Sequence, residues 1–209
     1  LAVYATSMNF TILEISIVTF LLAISGAIAQ FPIGKISDIY DRRKVIIFST
    51  FGAAIFSILT IMVSRQMYLP EGLATSKTWF YIFFILFSFC SLPMFSLILA
   101  HTNDYIAKEK FVAAGAGLQF IFGLGAISGP FLCSIIMDIF GSNGFFIFLF
   151  FFHSLIGIYG IYRMKIRPTV DNPDSQFVAM PQTITPAGIE LNPTTEPIEE
   201  PIKENKTLI

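Results

Sequence analysis

The chain has 209 residues, a net charge of −1, 55% apolar residues and only 13% charged ones, with a mean hydropathy of +0.73. A water-soluble domain carries about 25% charged residues, so a soluble globule is excluded and lipid is the natural solvent for this much apolar surface. No basic patch interleaved with aromatics points to nucleic acid. The two cysteines, Cys90 and Cys133, lie inside apolar runs without metal-ligand spacing, so no metal site, cofactor site or disulfide framework is indicated.

Residues 1–9 are apolar but too short to cross a bilayer, and the chain opens on Leu1 rather than Met. We read them as the extracytoplasmic end of a preceding helix that this chain lacks. Five runs then follow, each long enough to cross about 30 Å of hydrocarbon as a helix: Thr11–Ile33, Val45–Val63, Trp79–Ala100, Phe111–Met137 and Gly144–Tyr162. The first has a start signal. Thr11 can cap it, Glu14 three residues later can close a capping box, and Phe10 and Ile15 are spaced as a hydrophobic staple. This gives Glu14 a structural task at a helix entrance. The second and fifth spans are almost wholly apolar, and Phe145, Phe146, Phe148, Phe150, Phe151 and Phe152 crowd the fifth. A helix apolar all round faces lipid, so both are expected at the periphery.

From residue 164 the character changes. Seven of the 11 prolines lie in this stretch, with Thr, Asn and Glu between them, and Phe177 is its sole phenylalanine. Such a composition cannot bury enough apolar area to offset its ordering entropy. The expected organisation is therefore an extracytoplasmic end at 1–9, a five-helix transmembrane region at 10–163 and a disordered cytoplasmic tail at 164–209. Orientation follows from charge. The side that carries the 34–44 loop would hold Lys35, Arg42, Arg43, Lys44, Lys108, Lys110, Arg163, Lys165 and Arg167, against Arg65 and Lys77 on the other. Basic residues mark the cytoplasmic side, which places the N-terminus outside and the C-terminus in the cytoplasm.

The most informative stretch is Gly34-Lys-Ile-Ser-Asp38-Ile-Tyr-Asp41-Arg42-Arg43-Lys44. Gly34 would let two helices approach closely. Asp38 can face a helix N-terminus, where free N–H groups favour a carboxylate. Arg42 and Arg43 would each cost about 2.5–3.5 kcal/mol at the bilayer centre, so they pin the loop to one face. Gly, Asp four residues on and paired Arg four further resembles the signature loop of the major facilitator superfamily. Asp41 departs from the pattern, standing where that family commonly has Gly, although Asp tolerates a left-handed turn better than most residues.

The resemblance implies that this is the second copy of the loop and that the five spans are the family's eighth to twelfth helices. The fold class is then an all-α integral membrane protein forming most of the C-terminal half of a facilitator bundle, plus the tail. The fourth span agrees: it carries Gly115, Gly117, Gly123, Gly125, Gly129 and Pro130, similar to the Gly-Pro-rich eleventh helix. Gly125 and Gly129 form a small-xxx-small pair suited to close packing. The segment His101-Thr-Asn103-Asp104 looks like a branch of bacterial carriers of unassigned substrate. On this resemblance Gly34, Asp38, Arg42 and Arg43 form a gating motif against a missing N-terminal half.

Cavity-lining groups are expected on the first, third and fourth spans. Ser16, Thr19, Ser25, Ser88, Ser96 and Ser128 can each bond their own helix backbone. Gln30, Ser91 and Gln119 are the stronger candidates for a solute cavity. His153 within the fifth span is expected as a neutral side chain bonding a neighbour's backbone, and His101 as an interfacial one. No catalytic triad or carboxylate pair is present, so an enzyme is not expected. The leading expectation is part of a secondary transporter for a small solute, embedded in the bacterial plasma membrane. The alternative is a non-transporting membrane protein or the remnant of a split gene.

Overall fold

The computed structural model describes residues 1–66, 73–168, 177–181 and 184–190, and among these every regular element is helical. The helices are α1 (Ala2–Ser7), α2 (Ile12–Ile39), α3 (Arg42–Gln66), α4 (Leu73–Ser91), α5 (Met94–Asn103), α6 (Phe111–Phe140), α7 (Gly144–Ile166) and α8 (Pro186–Glu190). Among the described residues, five stretches are long and apolar enough to cross a membrane: Ile12–Ile39, Arg42–Arg65, Lys77–Asn103, Lys108–Phe140 and Gly144–Ile166. They coincide with the five spans read from the sequence. The third is made of α4 and α5 in series, broken at Leu92–Pro93. Proline has no N–H and its ring crowds the carbonyl four residues back, so the ladder resumes only with Leu97 N–H donating to the Pro93 carbonyl at 3.0 Å.

The expected start of α2 is present in full. The Thr11 hydroxyl accepts from the Glu14 N–H at 3.2 Å, and the Glu14 carboxylate accepts from the Thr11 N–H at 2.8 Å. Phe10 is buried and Ile15 packs in the same cluster. Glu14 also receives Lys77 Nζ at 2.6 Å, which ties α2 to α4. This end of the bundle is closed by aromatic rings: Tyr4 of α1, fully buried, meets Phe146 edge-on at 4.9 Å and stacks on Phe80 at 5.9 Å.

The helices neighbour one another in the order α2, α4, α3, α7, α6, an arc with α2 and α6 at its ends and α5 between α3 and α6. This corrects the expectation for the second span. α3 is not apolar all round. Thr50, Ala53, Ser57, Thr60 and Ser64, spaced by alternating threes and fours, are all fully buried, whereas Phe48, Ile55 and Met62, seven apart, are 80%, 57% and 60% exposed. Lipid tails are as apolar as Leu, so helices associate in a membrane through small residues that let backbones approach. The hydroxyls cost little inside because they bond locally: Ser57 to the Ala53 carbonyl at 2.9 Å and Thr60 to that of Phe56 at 2.7 Å. α7 does present an outer face, but Gly157 and Gly160 seat Phe51 and Ile47 of α3 so closely that a Cβ at either would overlap them.

α2 and α4 are clasped by a reciprocal pair. Ser25 donates to the Ile85 carbonyl at 2.9 Å, and Ser88 donates to the Leu22 carbonyl at 2.8 Å. A Cβ on Gly26 would overlap the Leu92 side chain. The α6–α7 turn needs glycine twice. Gly141 has φ +68° and ψ −162°, a backbone region essentially confined to glycine, and a Cβ on Gly144 would lie 2.6 Å from the Ile136 carbonyl oxygen.

Candidate functional site

The structure replaces the expected 34–44 loop by two helices meeting at Tyr40–Asp41. α2 continues through Gly34 and Asp38 to Ile39, and α3 begins at Arg42. Asp41 does not adopt the left-handed turn considered for it, since Asn9 is the one non-glycine with positive φ among the described residues. It caps α3 instead. Its side chain accepts from the Arg43 N–H at 3.0 Å, and its carbonyl accepts from the Lys44 N–H at 2.9 Å. Asp is among the best N-cap residues, which accounts for its presence where a glycine turn was expected.

Arg42 is the centre of the site. Its side chain is 6% exposed and reaches two carboxylates, Asp38 on α2 at 3.0 Å and Asp104 just past α5 at 2.8 Å. A buried guanidinium is tolerated only when paired, and here the pairing fastens three helix ends together. Arg43 forks onto Asp41, with Nε to Oδ1 at 3.1 Å and Nη2 to Oδ2 at 2.9 Å, and donates from Nη1 to the Arg167 carbonyl at the end of α7 at 2.8 Å. The cluster thus joins α2, α3, α5 and α7 at one end of the bundle. His101, in the last turn of α5, lies edge-on to Tyr105 with ring centroids 5.1 Å apart.

The described stretches of the tail also touch this end; the remainder of residues 164–209 expected to be disordered, beyond Pro168, lies outside the described residues. The Phe177 N–H donates to Asp38 Oδ1 at 2.8 Å, and the Phe177 ring fills the space over Gly34 that a Cβ would need. The close approach anticipated at Gly34 is therefore to the tail rather than to a second helix. The Met180 backbone exchanges two hydrogen bonds with Ser96, at 2.9 and 3.0 Å.

The candidate cavity residues are not gathered into one group. Ser91 turns toward α7 and meets His153 Nε2 at 3.1 Å. The histidine bonds a neighbour's side chain, not its backbone as expected. Gln30 on α2 is half-buried, and Gln119 on α6 holds its Oε1 shielded and without a hydrogen-bond partner. Among the described residues no hydrogen bond joins these three. Ser16 and Thr19 bond their own helix, at 2.9 and 2.8 Å. Gly125 and Gly129 stand on an open face of α6, with nothing within 4 Å of where a Cβ would be, and Pro130 beside them is exposed. Asp104 went unrecognised as Arg42's partner from sequence. The available signal was a carboxylate at the end of the third span, on the same side as the paired arginines.

The family model of the Major Facilitator Superfamily matches residues 1–203. The chain belongs to this superfamily. Among curated relatives, it is 25% identical to an uncharacterized MFS-type transporter of Yersinia enterocolitica over 77% of this chain and 37% of that protein. It is 27% identical to one of Methanocaldococcus jannaschii over 85% of this chain and 43% of that protein. A Bacillus subtilis transporter of the same description is 26% identical over 70% and 35%. This facilitator-superfamily chain thus spans less than half the length of the relatives it matches. No solved structure matches it.

Proposed function

We propose that these five spans form one wall of a secondary transporter that moves a small solute by alternating access. In such carriers two helical halves rock about a site between them. The observation that carries the reading is the Arg42 cluster. It binds α2, α3, α5 and α7 into one body at a single membrane face, so the wall moves as a unit while the ends of the arc remain open. The faces of α2 and α6 are where the rest of a carrier would pack, with Gly125 and Gly129 admitting a close-lying helix. Gln30 and Gln119 are then offered to the solute path, and the segment alone does not complete that path. Gly34, Asp38, Arg42 and Arg43 serve as the gate on the side we assign to the cytoplasm, in the bacterial plasma membrane.

The test is transport by the complete carrier in energised membrane vesicles, screened against sugars, amino acids, organic anions and lipophilic cations. A solute gradient should form with the parent protein and collapse at least tenfold in rate with Arg42→Gln, with expression unchanged. Full transport by that variant would remove the gate. Failure of every solute class to move would favour a non-transporting membrane protein.

A further inference from the structure

The outer seam between α3 and α7 holds a cavity of about 580 Å³. Its walls are apolar, formed by Ile47, Phe48 and Phe51 of α3 and Ile161 and Met164 of α7, and Lys44 and Lys165 stand at its rim. The arrangement follows from helix period. Lys44 is one turn before Phe48, at the end of the exposed stripe Phe48, Ile55, Met62, and Lys165 is one turn after the exposed Ile161. Residues four apart share a helix face, so both ammonium groups terminate lipid-facing stripes at the same end of the seam. Neither is paired with a carboxylate among the described residues, although Arg42 and Arg43 beside them are. Two cations left without anions above a greasy slot match one ligand chemistry, a phosphate carried on acyl chains.

We propose that this seam is a binding site for an anionic glycerophospholipid of the leaflet that meets the Arg42 end. The phosphate sits between Lys44 and Lys165, and an acyl chain lies along Phe48, Phe51 and Ile161. Basic pockets between transmembrane helices recognise anionic headgroups in this way. The inference rests on α3 and α7 facing lipid, and its readout is independent of whether the chain transports anything.

The test is quenching of a single indole by brominated lipid. Trp79, the sole tryptophan, is removed by Trp79→Phe, and an indole is introduced by Phe48→Trp at the mouth of the slot. Brominated phosphatidylglycerol should quench it at about tenfold lower mole fraction than brominated phosphatidylcholine, within the roughly 30-fold that two interfacial lysines can supply. K44Q/K165Q should abolish the difference while phosphatidylcholine still quenches, which shows that the slot still meets lipid. K44R/K165R should preserve it. K108Q/K110Q, which removes the same charge elsewhere on that side, should leave it intact. Equal quenching by the two lipids in the parent, persistence of the preference in K44Q/K165Q, or its equal loss in K108Q/K110Q would overturn the site.

Discussion

The Arg42 cluster gives its two carboxylates different weights, and the difference can be measured. Asp104 is 13% exposed and lies 2.8 Å from the guanidinium; Asp38 is 35% exposed and lies 3.0 Å away. Neutralising Asp104 leaves a nearly buried guanidinium with one partner fewer. A hydrogen bond to a charged group contributes about 1.5–3 kcal/mol, so Asp104→Asn should destabilise the bundle by about 2–3 kcal/mol. The Asp38 pair is screened by solvent, and exposed ion pairs contribute about 0–1 kcal/mol. Asn at position 38 also keeps an acceptor for the Phe177 N–H. Asp38→Asn should therefore cost less than about 1 kcal/mol. Arg42→Gln takes the guanidinium from the largely buried Asp104 and from Asp38, which keeps solvent and the Phe177 N–H, and should cost about 3–5 kcal/mol, the range for breaking a buried pair. Thermal unfolding in detergent, followed by a thiol-reactive fluorophore, reports this directly, because Cys133 is buried and Cys90 half-buried. Double-mutant cycles of Arg42 with each Asp then separate the two pairs. An Asp38 coupling as large as that of Asp104, or an Arg42→Gln loss under 1 kcal/mol, would refute the weighting.

Gly144→Ala should destabilise by about 1–3 kcal/mol, the cost of overpacking, since the new methyl meets backbone atoms of α6 that cannot rotate away; the same thermal assay checks it against Gly117→Ala, which faces open space and should be neutral. Replacing Ser25 and Ser88 together by Ala should cost about 1 kcal/mol, at roughly 0.6 kcal/mol per interhelical bond, and separation of α2 from α4 should appear as faster hydrogen exchange around Ile85. For topology, Thr6→Cys in a background with Cys90 and Cys133 replaced should react with an impermeant thiol reagent added outside intact cells, and Glu109→Cys only after the cells are opened. The reverse pattern would invert the charge-based orientation.

Much of the architecture was legible in the sequence because lipid imposes a coarse rule: a span needs about 20 apolar residues. The capping box at Thr11 and Glu14 was legible because it is local, with donor and acceptor three residues apart. The long helices overran their expected ends for a related reason. Hydropathy stops at the first charge, whereas the backbone ladder of α2 continues to Ile39, through Lys35 and Asp38. The site was legible only in its local half. Gly34, Asp38, Arg42 and Arg43 could be placed by spacing, but Asp104 lies 62 residues from Arg42, and no local pattern predicts which carboxylate a guanidinium will reach. Phe177, 139 residues from Asp38, was hidden in the same way, although a lone aromatic in a proline-rich tail was a hint.

The misread helix explains how the site is supported. α3 counts as apolar by average hydropathy, and the average conceals that Thr50, Ala53, Ser57, Thr60 and Ser64 occupy one seam while Phe48, Ile55 and Met62 occupy the other. In water such a helix would bury the large side chains; in lipid it buries the small ones, because close backbone approach is the available gain and the hydroxyls return their hydrogen bonds to their own helix. That inversion puts α3 between α4 and α7, with Arg42 and Arg43 on its first turn at the point where the most helices converge. The same placement leaves Lys44, one residue further round the helix, on the outer stripe. Three consecutive basic residues therefore have three surroundings: Arg42 is buried between carboxylates, Arg43 is forked onto the cap of its own helix, and Lys44 stands over the seam with no carboxylate partner among the described residues. Rotation by 100° per residue, not charge alone, decides which of them holds the bundle together and which is left for lipid.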